Sequence, residues 1–377
     1  MRVVFWGTYD TGKPRTRILR EGLSRQGVEL HEIHASTWEG IEDKSQLRGF
    51  VRLAGIALRW LFSYPRLAWR LARVARPDLV LVGYPGHVDV FIAALVCRFR
   101  RIPVAWDVFL SAYDTICLDR RLLREGSLAA RLLRRLEASA IARADYVFMD
   151  TQAHARRIER LFDLPKGHCD AVWVGVEAER FPRLPLAQRG HGPFRVLFYG
   201  QFIPLHGITT IIEAARLLRQ RDIEWRLVGV GQEAPRIRAL LDADPLPRVS
   251  WMEWVPYEAL AGELREADIC LGIFGDSEKA ASVIPNKVFQ IVASGRPLVT
   301  RDGPAARELL VSQPGCTYLV PCADAKSLAD ALLAHMALAA TAQSPCHEST
   351  RPRIDATAIG EQFMDMIRRR NIVGRPS

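Results

Sequence analysis

The chain has 377 residues, of which 49% are hydrophobic and 25% charged, and its formal net charge is +10. This length and apolar content favour two ordinary hydrophobic cores over one large core. The positive charge predicts an anionic partner such as a nucleotide or a membrane surface, but the arginines are spread through amphipathic segments, which argues against a nucleic-acid-binding tail.

The N-terminal sequence MRVVFWGTYDTGK has too short an apolar run for a signal peptide and is typical of the first strand of a domain. Seven cysteines are scattered without CxxC or zinc-binding spacing, which predicts free thiols in a reducing compartment. No segment reaches the ~18 uninterrupted apolar residues that a membrane-spanning helix needs. We therefore expect a cytoplasmic protein.

The turn after this first strand, GTYDTGKP, nearly spells a phosphate-binding P-loop. Pro14 stands where a hydroxyl group must bind magnesium, so a P-loop NTPase is disfavoured. Two interpretations remain open. Gly7 and Gly12 belong either to a turn that contacts a ligand or to a plain tight turn.

Residues 47–76 alternate seven arginines with leucines and with Trp60, Phe62 and Trp69. A basic helix of this kind can lie at a bilayer interface, with its cations near lipid phosphates and its rings at the headgroup level. Two ordinary helices packed on a sheet explain the pattern equally well. An anionic membrane surface is therefore a candidate partner, and in that case we expect peripheral attachment to the inner face of the plasma membrane.

Short apolar runs alternate with helical stretches in the first half, which predicts a parallel sheet with helices on both faces. The predicted strands are residues 3–6, 79–82, 104–106 and 146–149. His87 and Asp107 lie at strand ends, so we expect them at the carboxyl edge of the sheet. Asp114 and Arg120 follow in a polar loop suited to a polar ligand. A structural capping role for Asp107 or Asp114 explains these residues equally well.

The second half repeats this organisation after a predicted linker at residues 179–193, which contains three prolines and two glycines. Its predicted strands are residues 195–199, 226–229, 249–252, 269–273 and 298–300. The fold class is therefore α/β, with two doubly wound Rossmann-like domains that face each other across a cleft. We place these domains at 1–185 and 193–345, with a terminal helix at 355–370. The cleft is the expected ligand site.

Turns after the first two strands of the second half carry glycines and polar side chains at the expected ligand edge. They are Gly200, Gln201, His206, Gly207, Gly229 and Gly231. His206 is suited to donate a hydrogen bond to a phosphate, although a capping or core histidine is an equally good interpretation. The GVG sequence at 229–231 is a fragment of a dinucleotide-binding fingerprint that lacks its third glycine.

The most informative segment is FGDSEKAASVIPNKVFQIVASGRPLVT at 274–300. It predicts a strand end, a loop, a helix whose first turn contains Pro285, and a further strand after Gly295. Free backbone N–H groups and ammonium groups at such a helix start suit an anionic, phosphate-bearing ligand. The polar residues gathered there are Glu278, Lys279, Asn286 and Lys287.

Taken in order, these segments resemble the retaining glycosyltransferases of family 4, also described as glycosyl transferases group 1. Four segments carry the resemblance, at residues 194–215, 225–233, 249–274 and 284–300, and the first half matches more weakly. The resemblance implies the two-domain GT-B fold, with the terminal helix packed back on the N-terminal domain. It also implies a nucleotide-sugar donor bound by the second domain.

The resemblance assigns donor-binding roles to the glycine turns, to Trp254 and Val255 beside the base, and to Gln290 beside the ribose. The family usually has Arg and Lys at the positions of Gln201 and His206, and Glu at the positions of Ser282 and Gln290. We expect Lys279 and Lys287 to replace the missing cations, because both lie beside the start of the helix.

The implied activity is transfer of a hexosyl group, with retention at the anomeric carbon, from a nucleoside diphosphate sugar to a carbohydrate or lipid-linked acceptor. Envelope polysaccharide or glycolipid synthesis is the expected setting. Lys287, His87 and Asp107 are the candidate catalytic residues, and Gly7, Gly12, Asp114 and Arg120 the candidate acceptor contacts. We expect no cofactor, no metal and no nucleic-acid partner. Two alternatives stay open: a degenerate GT-B protein that binds a nucleotide sugar or a partner without turnover, and a sugar-nucleotide epimerase.

Overall fold

The computed structural model describes residues 1–37, 50–185, 192–339 and 345–373. The chain divides into two compact units. The N-terminal unit comprises Met1–Val174 together with Ala356–Ser377, and the C-terminal unit comprises Gly175–Asp355. The last helix of the chain therefore belongs to the first unit.

Each unit alternates strands with helices. The N-terminal unit has strands β1 (Arg2–Gly7), β2 (Glu29–His34), β3 (Leu79–Val82), β4 (Val104–Asp107), β5 (Tyr146–Met149) and β6 (Cys169–Ala171). Its helices before the C-terminal unit are α1 (Pro14–Arg25), α2 (Phe50–Arg73), α3 (Asp89–Arg100), α4 (Leu128–Ile141) and α5 (Gln152–Leu161).

The C-terminal unit has strands β7 (Phe194–Tyr199), β8 (Ile223–Val228), β9 (Val249–Met252), β10 (Ile269–Leu271), β11 (Leu298–Arg301) and β12 (Thr317–Val320). Its helices are α6 (Ile208–Leu217), α7 (Ala234–Ala243), α8 (Leu260–Glu266), α9 (Glu278–Ser282), α10 (Asn286–Ser294), α11 (Ala306–Leu309) and α12 (Ala325–Ala339), and the chain continues into α13 (Ala356–Val373).

The sheet of the N-terminal unit has six parallel strands in the order β2-β1-β3-β4-β5-β6. Alternate residues of β1 point to opposite faces. Val4 and Trp6 pack in a core with side chains of α2, α3, α4 and α5. Val3 and Phe5 pack in a second core with α1 and α13. Burial on both faces explains why β1 is an uninterrupted apolar run.

Helices α1 and α13 approach each other through two glycines. A Cβ atom added to Gly22 would lie 2.8 Å from the backbone nitrogen of Gly360, and one added to Gly360 would overlap the carbonyl oxygen of Gly22. Phe363 of α13 packs edge-on against Phe148 of β5, with ring centroids 5.6 Å apart. The terminal helix is thus a full member of the N-terminal core.

The sheet of the C-terminal unit has six parallel strands in the order β12-β11-β10-β7-β8-β9. The chain moves from β7 towards β9 and then returns to the other side of β7 at β10. The strand order therefore reverses between β7 and β10, and ligands of such sheets bind at the carboxyl ends of the strands at this point. The predicted α/β class with two doubly wound sheets is confirmed.

Several sequence-based boundaries differ from the structure. The pattern at 47–76 forms one helix, α2, with Pro65 inside it, and residues 47–49 lie outside the described part. The predicted linker at 179–193 includes residues 186–191, which are also outside it, while Phe181 and Leu184 are buried. Pro285 is the N-cap of α10 and α9 forms within the predicted loop. Among the described helices, none has both the length and the apolarity needed to cross a bilayer.

Candidate functional site

The candidate site of the C-terminal unit lies at the carboxyl end of β7. Gly200 follows this strand with φ 139°, a conformation that residues with a side chain rarely adopt. A Cβ atom at Gly200 would lie 2.8 Å from Lys287 Nζ and 3.1 Å from His206 Cε1. The turn therefore requires glycine, and the side chains of Lys287 and His206 both lie against it.

Lys287 lies in the first turn of α10 and is only 5% exposed. Its Nζ atom sits 3.7 Å from the ring centroid of Phe198 and has no hydrogen-bond partner among the described residues. Burial lowers the pKa of Lys287 well below the usual 10.5, because the charged form loses its hydration. A buried amine without a partner is costly, so this lysine marks a place where an anion would restore the charge.

His206 ends a short 3-10 turn, Pro204–His206, and is buried. Its Nδ1 atom contacts the carbonyl oxygen of Gln201, and since a carbonyl only accepts, Nδ1 carries the proton. Gly207 follows, and a Cβ atom there would lie 2.6 Å from the backbone nitrogen of Gly275. The loops after β7 and β10 are thus in direct contact.

The turn after β8 lies beside the turn after β7. A Cβ atom at Gly229 would overlap the carbonyl oxygen of Gly200, and one at Gly231 would lie 2.7 Å from that of Phe202. Trp251 donates from Nε1 to the Gly229 oxygen at 2.8 Å and stacks on Phe202 with ring centroids 5.0 Å apart. Trp251 therefore supports these turns, as expected for a structural tryptophan.

The remaining donor-site candidates lie on the loops around α9 and α10. Trp254 is 65% exposed, and Val255 is half-buried. Asn286 is half-buried at the start of α10. Lys279 is buried within α9, next to Glu278, whose carbonyl oxygen accepts from Ser282 Oγ at 2.7 Å.

Gln290 belongs to a chain of hydrogen bonds that sequence reasoning missed. Its Oε1 atom accepts from Tyr199 Oη at 3.0 Å, and its Nε2 atom donates to Tyr257 Oη at 3.3 Å. Tyr257 in turn donates to Glu177 Oε2 at 2.8 Å. The local sequence gives no indication of these hydrogen bonds, because the four residues that form them lie on four separate segments.

In the N-terminal unit, Asp107 and His87 are both engaged by neighbouring side chains. Asp107 is buried, and its Oδ1 lies 2.7 Å from Arg15 Nη2. Burial raises the pKa of Asp107, an effect that the Arg15 charge opposes. His87 keeps a quarter of its side chain exposed, and its Nε2 lies 3.2 Å from Oε1 of the buried Glu137. His87 is therefore the more accessible of the two candidates.

Of the other first-half candidates, Gly7, Asp114 and Arg120 are buried, whereas Gly12 is exposed. Asp114 is fully buried and its Oδ1 lies 2.8 Å from Arg157 Nη2. Arg120 is also buried. Gly7 has φ 120°, and Gly12 donates its N–H to Asp10 Oδ1 at 2.9 Å. Contact of these positions with an acceptor stays a prediction.

A cavity of about 490 Å³ lies at the opposite end of the C-terminal sheet, near the starts of β7, β8 and β9. Charged side chains that line it form ion pairs with each other: Arg195 pairs with Glu266 at 2.7 Å and Arg226 with Glu263 at 3.1 Å. A ligand site in a parallel α/β sheet is expected at the carboxyl edge. We therefore assign the candidate site to the edge with Gly200 and Lys287 and not to this cavity.

A parallel sheet whose switch point carries a glycine turn, a buried lysine and a helix N-terminus defines a Rossmann-like protein, and this arrangement suits a phosphate-bearing ligand. Comparison with family models identifies the family of this Rossmann-like protein. Residues 193–337 match the model described as glycosyl transferases group 1, and residues 15–180 match the glycosyltransferase family 4 model. Together these matches span most of the chain, which belongs to glycosyltransferase family 4 and has the GT-B fold.

Two curated relatives share recognisable sequence with the chain. The amylovoran biosynthesis glycosyltransferase AmsK of Erwinia amylovora is 32% identical over 177 residues, which span 45% of this chain and 42% of AmsK. The putative colanic acid biosynthesis glycosyltransferase WcaL of Escherichia coli K12 is 25% identical over 74% of this chain and 73% of WcaL. The chain thus matches less than half the length of AmsK and about three quarters of WcaL.

Solved structures share the fold at low sequence identity. HepE of Anabaena, solved with UDP, has a TM-score of 0.67 at 14% identity and covers 98% of this chain and 100% of HepE. Sucrose-phosphate synthase of Thermosynechococcus elongatus has a TM-score of 0.67 at 16% identity over 99% of each chain. These likenesses support the fold assignment.

Proposed function

We propose that this protein is a retaining glycosyltransferase that moves a hexosyl group from a nucleoside diphosphate sugar to a carbohydrate or lipid-linked acceptor in polysaccharide synthesis. Family membership supports the transferase activity. The names of AmsK and WcaL support the polysaccharide setting, and the structures of HepE with UDP and with UDP-glucose support a nucleotide-sugar donor.

The single observation that carries the donor site is the unpartnered Nζ atom of Lys287, which has no hydrogen-bond partner among the described residues and is buried beside Gly200. A diphosphate placed against this edge would receive the Lys287 ammonium group and the free N–H groups at the start of α10. It would also receive a hydrogen bond from Nε2 of His206 when that nitrogen is protonated as well as Nδ1. We propose that Lys279, Asn286 and Gln290 complete this donor site. No metal ion is needed for charge neutralisation in this arrangement.

Electrostatic stabilisation of the leaving group is the proposed main source of catalysis. The bond between the anomeric carbon and the diphosphate oxygen breaks, and its electron pair stays on the departing diphosphate next to Lys287. The acceptor oxygen forms the new bond on the same face of the sugar, and its proton passes to the departing oxygen. In the N-terminal unit, His87 is the proposed contact to sugar or acceptor, and Asp107 positions Arg15 through their ion pair.

Calorimetric titration with UDP-, GDP- and dTDP-sugars, followed by hydrolysis and transfer assays, tests this function. We expect one base to bind with micromolar to millimolar affinity and its sugar to be transferred or slowly hydrolysed. Binding without any turnover would instead identify a degenerate GT-B protein, and epimerised sugar without transfer would identify an epimerase. Absence of binding to every donor would contradict the proposal.

We further propose that the outer face of α2, α3 and α4 contacts an anionic membrane. These helices contribute side chains to one core. The large side chains described as exposed on them are apolar or basic: Arg59, Leu61, Phe62, Arg66, Trp69, Arg73, Leu95, Arg98, Phe99, Leu128, Arg131, Leu132, Arg135 and Leu136. The acidic residues of the three helices, Asp89 and Glu137, are both buried. A face with exposed cations and apolar groups, and without exposed acids on the described side chains, complements anionic lipid headgroups.

Flotation with phosphatidylglycerol vesicles tests this surface. We expect the wild type to float with these vesicles and to stay unbound with phosphatidylcholine. Replacing both Arg66 and Arg135 by Glu should weaken binding at least about tenfold, since each cation near the surface contributes about 1 kcal/mol. The control replaces the exposed Arg221 and Arg236 of the C-terminal unit by Glu, which changes the net charge equally. An equal loss in this control, or no flotation of the wild type, would reject the surface.

A further inference from the structure

We propose that a directional chain of hydrogen bonds, running from Glu177 through Tyr257 and Gln290 to Tyr199, holds the amide of Gln290 in one orientation and requires an amide at position 290. Tyr257 and Glu177 are then positioning residues for the donor site. The consequence for donor binding rests on the proposed function, whereas the chain itself is testable on the free protein.

The direction of the chain follows from the proton inventory of its members. The Glu177 carboxylate only accepts, so the single hydroxyl proton of Tyr257 is donated to it. Arg180 Nε lies 3.4 Å from the other carboxylate oxygen of Glu177 and forms an ion pair with it. With its proton committed, the Tyr257 oxygen can only accept from a third group, and Gln290 Nε2 lies 3.3 Å away.

At the other end of the hydrogen-bond chain, Tyr199 contacts the opposite side of the same amide. Gln290 Oε1 lies 3.0 Å from Tyr199 Oη, and burial raises the pKa of Tyr199 well above 10.0, so this hydroxyl group remains a donor. Both Gln290 and Tyr199 are 5% exposed. A flipped amide would place the Gln290 oxygen against the Tyr257 oxygen, whose proton is committed to Glu177. The Tyr199 hydroxyl group has a second acceptor, the backbone oxygen of Lys287 at 3.3 Å, so the orientation is set at the Tyr257 end.

The ring of Tyr257 is itself held from two sides. Phe181 meets it edge-on with ring centroids 5.5 Å apart, and the Arg180 guanidinium carbon lies 5.6 Å from its centroid. The hydroxyl group of Tyr257 therefore stays between Glu177 and Gln290. Glu177 lies near the start of the C-terminal unit, so the chain ties this entry segment to the helix that carries Lys287.

A glutamate in place of Gln290 would conflict with this arrangement. Its carboxylate accepts at both oxygens, so it could take the proton of Tyr199 but would present a second acceptor to Tyr257. Tyr257 has one proton for two carboxylates, and one of them would remain buried without that donor. This conflict explains why the protein has glutamine at position 290, where the resembled family usually has glutamate.

A double-mutant cycle on the free protein tests the chain by thermal unfolding. At pH 8 we expect Gln290→Glu to lower the melting temperature by about 4–8 °C, a shift typical of losing a buried hydrogen bond and leaving a charge unpaired. In a Tyr257→Phe background, the same substitution should have a smaller effect, because the hydrogen bond from the amide to Tyr257 is already absent there and only the cost of the buried charge remains. Equal shifts in both backgrounds would overturn the proposal.

The pH dependence supplies a readout that a purely structural role would not move. Once protonated, the carboxyl group introduced by Gln290→Glu can donate to Tyr257 as the amide does, so the deficit of this variant should shrink between pH 8 and pH 5. A deficit that is constant with pH would contradict the directional chain. Tyr318→Phe is the control, since it removes another hydroxyl group of the same unit that holds a backbone N–H at 2.9 Å, and it should leave the shift at position 290 unchanged.

UDP affinity then links the chain to the donor site. We expect Tyr257→Phe to weaken UDP binding about three- to tenfold, because the amide of Gln290 loses one of its two anchors, while Tyr318→Phe leaves the affinity unchanged. Unchanged affinity in Tyr257→Phe would overturn the positioning role. If the wild type binds no UDP but the unfolding cycle shows coupling, the hydrogen-bond chain stands and the UDP donor assignment fails.

Discussion

Replacing Lys287 by methionine is expected to abolish UDP binding and to stabilise the free protein. Methionine fills a similar volume on the ring of Phe198 but has no amine to bury. The Nζ atom has no hydrogen-bond partner among the described residues, and burying such a group costs about 1–3 kcal/mol. We therefore expect the melting temperature to rise by roughly 3–8 °C while donor affinity falls at least about a hundredfold, the loss expected for a desolvated charge contact to phosphate.

Differential scanning calorimetry and titration with UDP measure the two effects on the same samples. Lys326→Met is the matched control, because Lys326 lies in the same unit with its side chain 80% exposed. Both quantities should stay close to wild type in this control. A Lys287→Met protein that binds UDP normally would remove the lysine from the donor site, and one that is less stable than wild type would show that its amine is satisfied in the free protein.

The lowered pKa of Lys287 also predicts the pH dependence of both effects. Between its folded pKa and the ordinary value of 10.5, the unfolded chain binds more protons at this residue, so the wild type gains stability as the pH rises. The stabilisation by methionine should accordingly be larger at pH 6 than at pH 10. A bound diphosphate favours the ammonium form, so UDP binding should take up protons above the folded pKa, measurable by calorimetry in buffers of different ionisation enthalpy.

Replacing Gly360 by alanine is expected to destabilise the N-terminal unit. The added Cβ atom would overlap the carbonyl oxygen of Gly22, and two backbones in contact cannot both stay in place. Alanine favours a helix by up to about 1 kcal/mol over glycine, but overpacking of a buried contact typically costs about 1–3 kcal/mol or more. We expect a net loss of about 2 kcal/mol and a melting transition roughly 4–8 °C lower.

Gly55→Ala in α2 separates the packing effect from helix propensity. A Cβ atom at Gly55 would meet no atom within 4 Å, so this variant should be as stable as wild type or slightly more so. Calorimetric transitions of the two variants give the comparison. If Gly360→Ala were as stable as Gly55→Ala, the close approach of α1 and α13 would be absent in solution.

The buried centre of each sheet and the edge strand β9 could be predicted from the sequence, but the other edge strands could not. Strands such as β1 and β3 are continuous apolar runs, which is the pattern of a strand covered on both faces. The missed strands β2, β6 and β12 lie at sheet edges. β2 reads ELHEIH, with mostly polar side chains, and β6 has three residues. Short or polar strands give little periodic signal.

The candidate donor site was predictable where its residues are close in sequence. The segment around α10 carries its own helix signals, and the structure differs there by one residue at Pro285. Contacts between distant residues gave no such signal. Arg15 and Asp107 are 92 positions apart, and Tyr257 lies 80 positions from Glu177. The sequence alone placed Asp107 at a strand end, with a chemical or a structural capping role, whereas the structure pairs it with Arg15.

The position of α13 has a consequence for synthesis of the protein. Residues Ile18, Leu19 and Phe5 share a core with Ile359 and Phe363, yet the whole C-terminal unit is translated between them. A nascent chain emerging from the ribosome therefore presents this apolar face for as long as the intervening residues take to appear, about 17–70 s at about 5–20 residues per second. Chaperones that shield exposed apolar surface would have their longest access to this protein at that stage, before the last helix closes the first half.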